Sequence, residues 1–144
     1  MIKDDTDTVL CARCALEEGL QDFLIVGGVG GRLDHTLANL QTLAFLTAQG
    51  AHAELCDGNV HLVMLQNGSL RIPRTGGKLS VFAFGGECSG VNISGAKYNV
   101  SDATLTPSFP LGMGNDFVED TAEISVEQGA LLVMWELHGG EEKD

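Results

Sequence analysis

The chain has 144 residues, a length that holds one ordinary domain or two small lobes. Apolar residues make up 44% and charged ones 19%, and 20 acidic against 8 basic residues leave a formal charge of -12. That acid excess argues against a basic face for nucleic acid and against binding to an anionic membrane. No apolar run reaches membrane-spanning length or forms a signal-peptide core, so a soluble, cytoplasmic chain is expected.

Asp4-Asp5-Thr6-Asp7 offers N-cap and first-turn acids for a helix over Val9 to Leu16, stopped by Gly19. Cys11 and Cys14 form a C-x-x-C pair inside that run. With no second close pair, they read as small helix residues in a reducing compartment rather than a zinc or redox site. Phe23-Leu24-Ile25-Val26 is a short apolar run ending in Gly-Gly, the pattern of a buried parallel strand. Leu37, Leu40, Leu43, Ala44 and Ala48 recur at helical spacing until Gly50, and Ala51 to Cys56 reads as a second strand.

After Asp57 the pattern changes to short strands with frequent turns. Strands are predicted over Val60 to Leu65, Leu70 to Ile72, Leu79 to Phe84, Gly90 to Ile93, Lys97 to Val100, Ala122 to Val126 and Ala130 to Leu137. Asn67-Gly68 between the first two is a hairpin signal. The expected architecture is a partial three-layer α/β lobe over residues 1–57 followed by an antiparallel β-sandwich over 58–144. Two parallel strands cannot cover both faces of such a lobe. Either another chain completes the sheet, or the chain is a piece of a longer protein.

The segment Gly27-Gly28-Val29-Gly30-Gly31-Arg32-Leu33-Asp34 follows a strand and opens a helix, the position where α/β sheets bind ligands. It lacks the Lys-Ser/Thr of a Walker loop and does not fit the dinucleotide fingerprint. Arg32 suits phosphate oxygens, and Asp34 suits a magnesium ion or a hydroxyl nucleophile. The alternative is a tight structural turn, with Asp34 an N-cap and Arg32 its solvated partner. The Asp4, Asp5 and Asp7 carboxylates repel one another unless a cation or a helix dipole offsets them. A solvated helix start is the alternative there. His35, His52, His61 and His138 show no metal-ligand spacing.

Lys3-Asp4-Asp5-Thr6-Asp7, the Gly27–His35 stretch with Asn39, Gly95-Ala96-Lys97-Tyr98-Asn99-Val100 and Leu111-Gly112-Met113-Gly114-Asn115-Asp116-Phe117 together resemble the thiamine pyrophosphokinase family, in the family's order. The resemblance implies an α/β domain followed by a β-sandwich, in a homodimer whose sites form where lobes and subunits meet. It implies that the thiamine hydroxyl attacks the β-phosphorus of ATP, with magnesium required, giving thiamine diphosphate and AMP. By this likeness Gly30 and Gly31 let the backbone reach the phosphates, and Arg32 stabilises their charge. Asp34 sits near the hydroxyl or metal, and Asp7, less strongly Asp4, holds the metal-nucleotide. Tyr98 would stack on the thiamine cation and Asn115 would pair with its pyrimidine edge. A non-catalytic thiamine- or nucleotide-binding module that dimerises through the sandwich is the competing reading. Two features depart from the family pattern: Gly114 stands where serine is usual, and no G-D-x-D-S motif occurs. A C-terminal portion of a longer kinase, lacking part of its metal site, is therefore expected.

Overall fold

The computed structural model describes residues 7–139, so Asp4 and its neighbours in the acidic cluster lie outside the described residues. The first helical run forms α1 (Asp7–Glu17), with the Asp7 carboxylate in the first turn, where the helix dipole favours negative charge. The apolar run forms β1 (Asp22–Val26), and the next helical pattern forms α2 (Leu33–Ala48). Strand β2 (His52–Asp57) lies parallel to β1, from Asp22 opposite His52 to Val26 opposite Cys56. A parallel pair needs a crossover connection, and α2 supplies it.

From there the chain runs antiparallel through β3 (Val60–Gln66), β4 (Ser69–Pro73), β5 (Lys78–Ala83) and β6 (Cys88–Ser94). Then come β7 (Val100–Leu105), β8 (Gly112–Asp116), β9 (Thr121–Ser125) and β10 (Ala130–Glu136). Six described strands form one sheet in the order β1-β2-β3-β10-β5-β8, and four form a second in the order β4-β9-β6-β7. The first sheet therefore crosses residues 57 and 58 without a break, through the antiparallel β2–β3 pair.

Side-chain alternation builds three layers from this sheet. On β10, Leu132 and Met134 face α2, with Leu43, Leu46, Leu55 and Leu62. Leu131 and Val133 on the same strand face the second sheet, with Val81, Val91, Ile93 and Ile124. The α/β lobe and the sandwich thus share one sheet, with helices on one face and β4-β9-β6-β7 on the other. At the β1 end the side away from the helices is open, and Leu24 and Val26 are exposed there.

Three expectations about the strands need correction. Asn67-Gly68 does not close a hairpin: β3 pairs with β2 and β10, whereas β4 pairs with β9 in the other sheet. It is a corner at which the chain changes sheet. Asn67 adopts φ 46°, its Oδ1 accepts the Gly129 N–H at 2.9 Å, and Gly68 C=O accepts the Val126 N–H at 2.9 Å. Lys97 and Tyr98 lie in a bend, and the strand expected there starts only at Val100. Residues 112–116, which carried no strand prediction, form the edge strand β8.

Candidate functional site

The glycine loop leaves the end of β1 and is fastened on both sides. Gly27 N–H donates to Cys56 C=O at 2.8 Å, and Val29 N–H donates to the Asp57 carboxylate at 2.8 Å. Asn39 on α2 donates from Nδ2 to Gly28 C=O at 3.1 Å. Gly30 and Gly31 take φ +85° and +65° with nothing within 4 Å of an added Cβ, so backbone conformation, not crowding, calls for glycine there. Arg32 is the N-cap of α2, in extended conformation and without a side-chain capping bond. Asp34 is thus inside the first turn and is not the N-cap. Its Oδ1 accepts His35 N–H at 2.9 Å, and its Oδ2 pairs with Arg32 Nη2 at 2.6 Å. Both side chains are exposed, by 73% for Arg32 and 62% for Asp34. A cation, a carboxylate and a pinned glycine loop meet at the mouth of one helix.

Asp7 sits at the start of α1, on an open apolar groove of about 430 Å³ shared with Cys11, Phe23, Ile25 and Leu46. Among the described residues, no hydrogen bond or ion pair joins Asp7 to Arg32 or Asp34, and no three His, Cys, Asp or Glu side chains converge as a metal cage. The donors at hand are single carboxylates at two helix starts. They suit magnesium, which keeps most of its waters and takes one or two carboxylates plus phosphate oxygens, better than a metal caged by protein alone. Cys11 and Cys14 are free and exposed on α1.

The second feature lies at the far edge of the six-stranded sheet. A pocket of about 210 Å³ is walled by Tyr98, Val100, Leu105, Leu111, Met113 and Asn115. Tyr98 is 67% exposed, as is Met113, while Asn115 is buried. The Lys97 ammonium lies 5.5 Å from the Tyr98 ring centroid, within cation–π range. Asn115 Oδ1 accepts Tyr98 N–H at 3.0 Å, and its Nδ2 donates to Tyr98 C=O at 2.8 Å. Gly114, where a serine hydroxyl was expected, takes φ +70° and donates its N–H to the Ser80 hydroxyl at 2.9 Å. Tyr98 and Asn115, predicted together, do line one pocket. Arg32 and Asp34 likewise sit together, but at the opposite end of the sheet.

Two family models match the chain in succession. That for the thiamin pyrophosphokinase catalytic domain matches residues 2–55, and that for its vitamin B1 binding domain matches residues 69–131. The chain belongs to the thiamin pyrophosphokinase family. A curated relative, the thiamine pyrophosphokinase of Bacillus subtilis (strain 168), is 28% identical over 134 residues, which are 92% of this chain and 63% of that protein. The crystal structure of thiamine pyrophosphokinase from Bacillus subtilis superposes with TM-score 0.86 at 26% identity, over 94% of this chain and 64% of that one. A thiamin pyrophosphokinase family protein from Enterococcus faecalis gives TM-score 0.77 at 26% identity, over 94% and 65%. The chain therefore spans just under two thirds of the length of these relatives.

Within this family frame, three residues near the sites escaped sequence reasoning. Asp57 reaches the glycine loop only because β2 pairs in parallel with β1, which brings the end of β2 beside Gly27. Ser80 meets Gly114 across a register shift between Leu79 and Val81. Leu111 walls the pocket from a segment whose strand went unpredicted. The Asp57 and Ser80 contacts leave no local signal, because each joins segments more than 25 residues apart.

Proposed function

We propose that this protein transfers pyrophosphate from ATP to thiamine, giving thiamine diphosphate and AMP. The thiamine hydroxyl oxygen bonds to the β-phosphorus, the bridge between the α- and β-phosphoryl groups breaks, AMP departs with the bridging oxygen, and the hydroxyl proton is lost. The observation that carries this reading is the succession of both family domains along one chain. ATP enters as its magnesium complex, and Asp7 and Asp34 are the carboxylates proposed to meet that metal, with Asp4 a further candidate.

The glycine loop brings backbone N–H groups toward the phosphates at Gly30 and Gly31. Arg32 stabilises the charge that builds on the transferring group. Asp34 accepts a hydrogen bond from the attacking hydroxyl and so orients it. The thiazolium cation and flat pyrimidine of thiamine suit the apolar pocket beside the Tyr98 ring.

A homodimer joined through the sandwich supports this chemistry geometrically. Strands β1 and β8 are the two edges of one six-stranded sheet. Five strand spacings separate them, roughly 24 Å at about 4.8 Å each. Reacting atoms must come within about 3.5 Å, so the Tyr98 pocket of one subunit serves the Arg32–Asp34 site of the other. Exposed Tyr98, Phe109, Leu111 and Met113 form an apolar surface suited to such contact. A cytoplasmic location fits the ATP supply and the free cysteines.

The test is to incubate the protein with thiamine, ATP and magnesium and to follow AMP and thiamine diphosphate together. Equal formation of both is expected. Binding of thiamine without either product would leave a non-catalytic binding module as the function.

A further inference from the structure

In the pocket proposed for thiamine, one lining side chain is bonded to the backbone of its own wall. Asn115 on β8 is 5% exposed. Its Oδ1 accepts two N–H groups, from Tyr98 at 3.0 Å and from Asp116 at 3.1 Å, which uses both lone pairs. Its Nδ2 donates to Tyr98 C=O at 2.8 Å. One buried amide thus closes a ring with both backbone polar groups of Tyr98, seventeen residues earlier in the chain.

The rest of the bend is held by other groups. Gly95 takes φ +77° against the Thr121 carbonyl, where any side chain would collide. Its own C=O accepts the Val118 and Glu119 N–H groups at 3.0 and 3.1 Å. Ala96 N–H donates to Asn99 Oδ1 at 3.0 Å, and Lys97 N–H to Asp116 C=O at 2.9 Å. Residues 95–97 are therefore tied down without Asn115, and Tyr98 is the residue that depends on it. Within its own chain the Tyr98 ring is 67% exposed, so packing inside the subunit does little to aim it, and the direction of its backbone decides where it points.

We infer that Asn115 is a positioning residue, which holds Tyr98 as a fixed wall of the pocket and acts on the ligand through that ring. This rests on the thiamine reading of the pocket. It adds a role to the expected pyrimidine contact, for which the second Nδ2–H of Asn115 remains. Turning Oδ1 toward a ligand would leave the Tyr98 N–H unpaired in a half-buried place, a loss that a single new hydrogen bond does not recover, so Asn115 holds Tyr98 whether or not its second Nδ2–H meets the ligand. The gain is preorganisation: an exposed ring already in place loses less freedom when a flat cation stacks on it.

The chain has a single tyrosine, so isotope-labelled tyrosine gives one backbone amide signal. Asn115→Ala is expected to speed hydrogen exchange at the Tyr98 amide about tenfold or more without ligand present. Thiamine affinity, measured by calorimetry, should fall by about fivefold or more in Asn115→Ala, and by less than about twofold when the same change is made in a Tyr98→Ala background. Unchanged exchange at Tyr98, or losses that multiply in the double variant, would overturn the inference. If melting curves show that Asn115→Ala does not fold, Asn115→Asp keeps both acceptor bonds and loses only the donor. A shifted Tyr98 amide signal and the same non-multiplying losses are then expected, and an unmoved signal would overturn it. Wild-type protein that fails to bind thiamine would refute the ligand reading alone, because the amide signal of Tyr98 judges the positioning role without any ligand.

Discussion

Arg32 and Asp34 form an exposed pair in the protein without ligand, and exposed ion pairs contribute under about 1 kcal/mol. Parting them is therefore easy, which frees each for its proposed partner: the guanidinium for phosphate oxygens, the carboxylate for the hydroxyl. Asp34→Asn keeps the shape but removes the charge. It should lower kcat/KM for thiamine by about 100-fold or more while moving the melting temperature by less than about 2 °C. Steady-state kinetics and a thermal melt check this, and near-normal turnover would remove Asp34 from the site. At Tyr98 the ring face, not the hydroxyl, is the proposed contact. Tyr98→Phe should hold thiamine affinity within about threefold, whereas Tyr98→Ala should weaken it about tenfold. Calorimetric titration separates the two, and a large loss in Tyr98→Phe would move the contact to the hydroxyl.

At the scale of elements, the α-β-α-β run was legible because each piece carries its own signal: the apolar period of α2, the unbroken Phe23–Val26 run, and stop glycines at 19 and 50. The sandwich was less legible. Asn67-Gly68 has the composition of a two-residue hairpin, yet the partner of each flanking strand is chosen by β9 and β10, more than fifty residues away. Local turn chemistry survives that override, since Asn67 still takes a positive φ, but it serves a sheet-changing corner held to Gly129. Asn67→Ala loses that bond and strains the backbone, and it should destabilise by about 1–3 kcal/mol in urea unfolding. Asn67→Gly should cost less, because glycine accepts the backbone angle. The candidate site divides in the same way. The residues proposed for its phosphate end stand in one contiguous segment, whereas the contacts of Asp57 and Asn115 depend on strand pairing.

The β2–β3 pair adds a pH-sensitive element. Glu54 on β2 lies 2.8 Å from His52 Nε2 and 2.9 Å from Nε2 of His61 on β3, and His61 stacks on Trp135 at 4.5 Å between ring centroids. Partial burial pushes the Glu54 carboxyl up, but the hydrogen bonds and charges of His52 and His61 outweigh it and hold the group below the usual carboxylate range. A carboxyl depressed in the folded state stabilises the fold above its unfolded value. That contribution is lost as pH falls through the folded one. Wild type should therefore melt above Glu54→Gln near pH 7, and the gap should narrow as the pH falls through the depressed range of the Glu54 carboxyl, below its ordinary 4.5. A gap that stays constant over that range would show that the Glu54 charge does not stabilise the pair.

For the whole molecule, the sheet order carries the strongest consequence. With β1 and β8 at opposite edges, Tyr98 and Asp34 of one chain lie about five strand spacings apart, so under the proposed homodimer each site is shared between two copies. With thiamine well below saturation, where the weaker binding of Tyr98→Ala lowers its rate about tenfold, two impaired variants should then rescue each other. Asp34→Asn has an intact Tyr98 pocket, and Tyr98→Ala has an intact phosphate end. Mixed after subunit exchange, half of the dimers are hybrids, and each hybrid has one site built wholly from unaltered residues. Activity should return to about a quarter of wild type in an equal mixture, against the low residual rate of either variant alone. The Phe109→Glu variant provides the control. Phe109 lies on the exposed apolar surface but outside the pocket wall, so its charge should shift sedimentation from dimer to monomer and abolish the rescue without touching either set of site residues. Rescue that fails while both variants still sediment as dimers would place the two halves of the site within one chain, and the roughly 24 Å across the sheet would then have to be closed by a movement of the strands themselves.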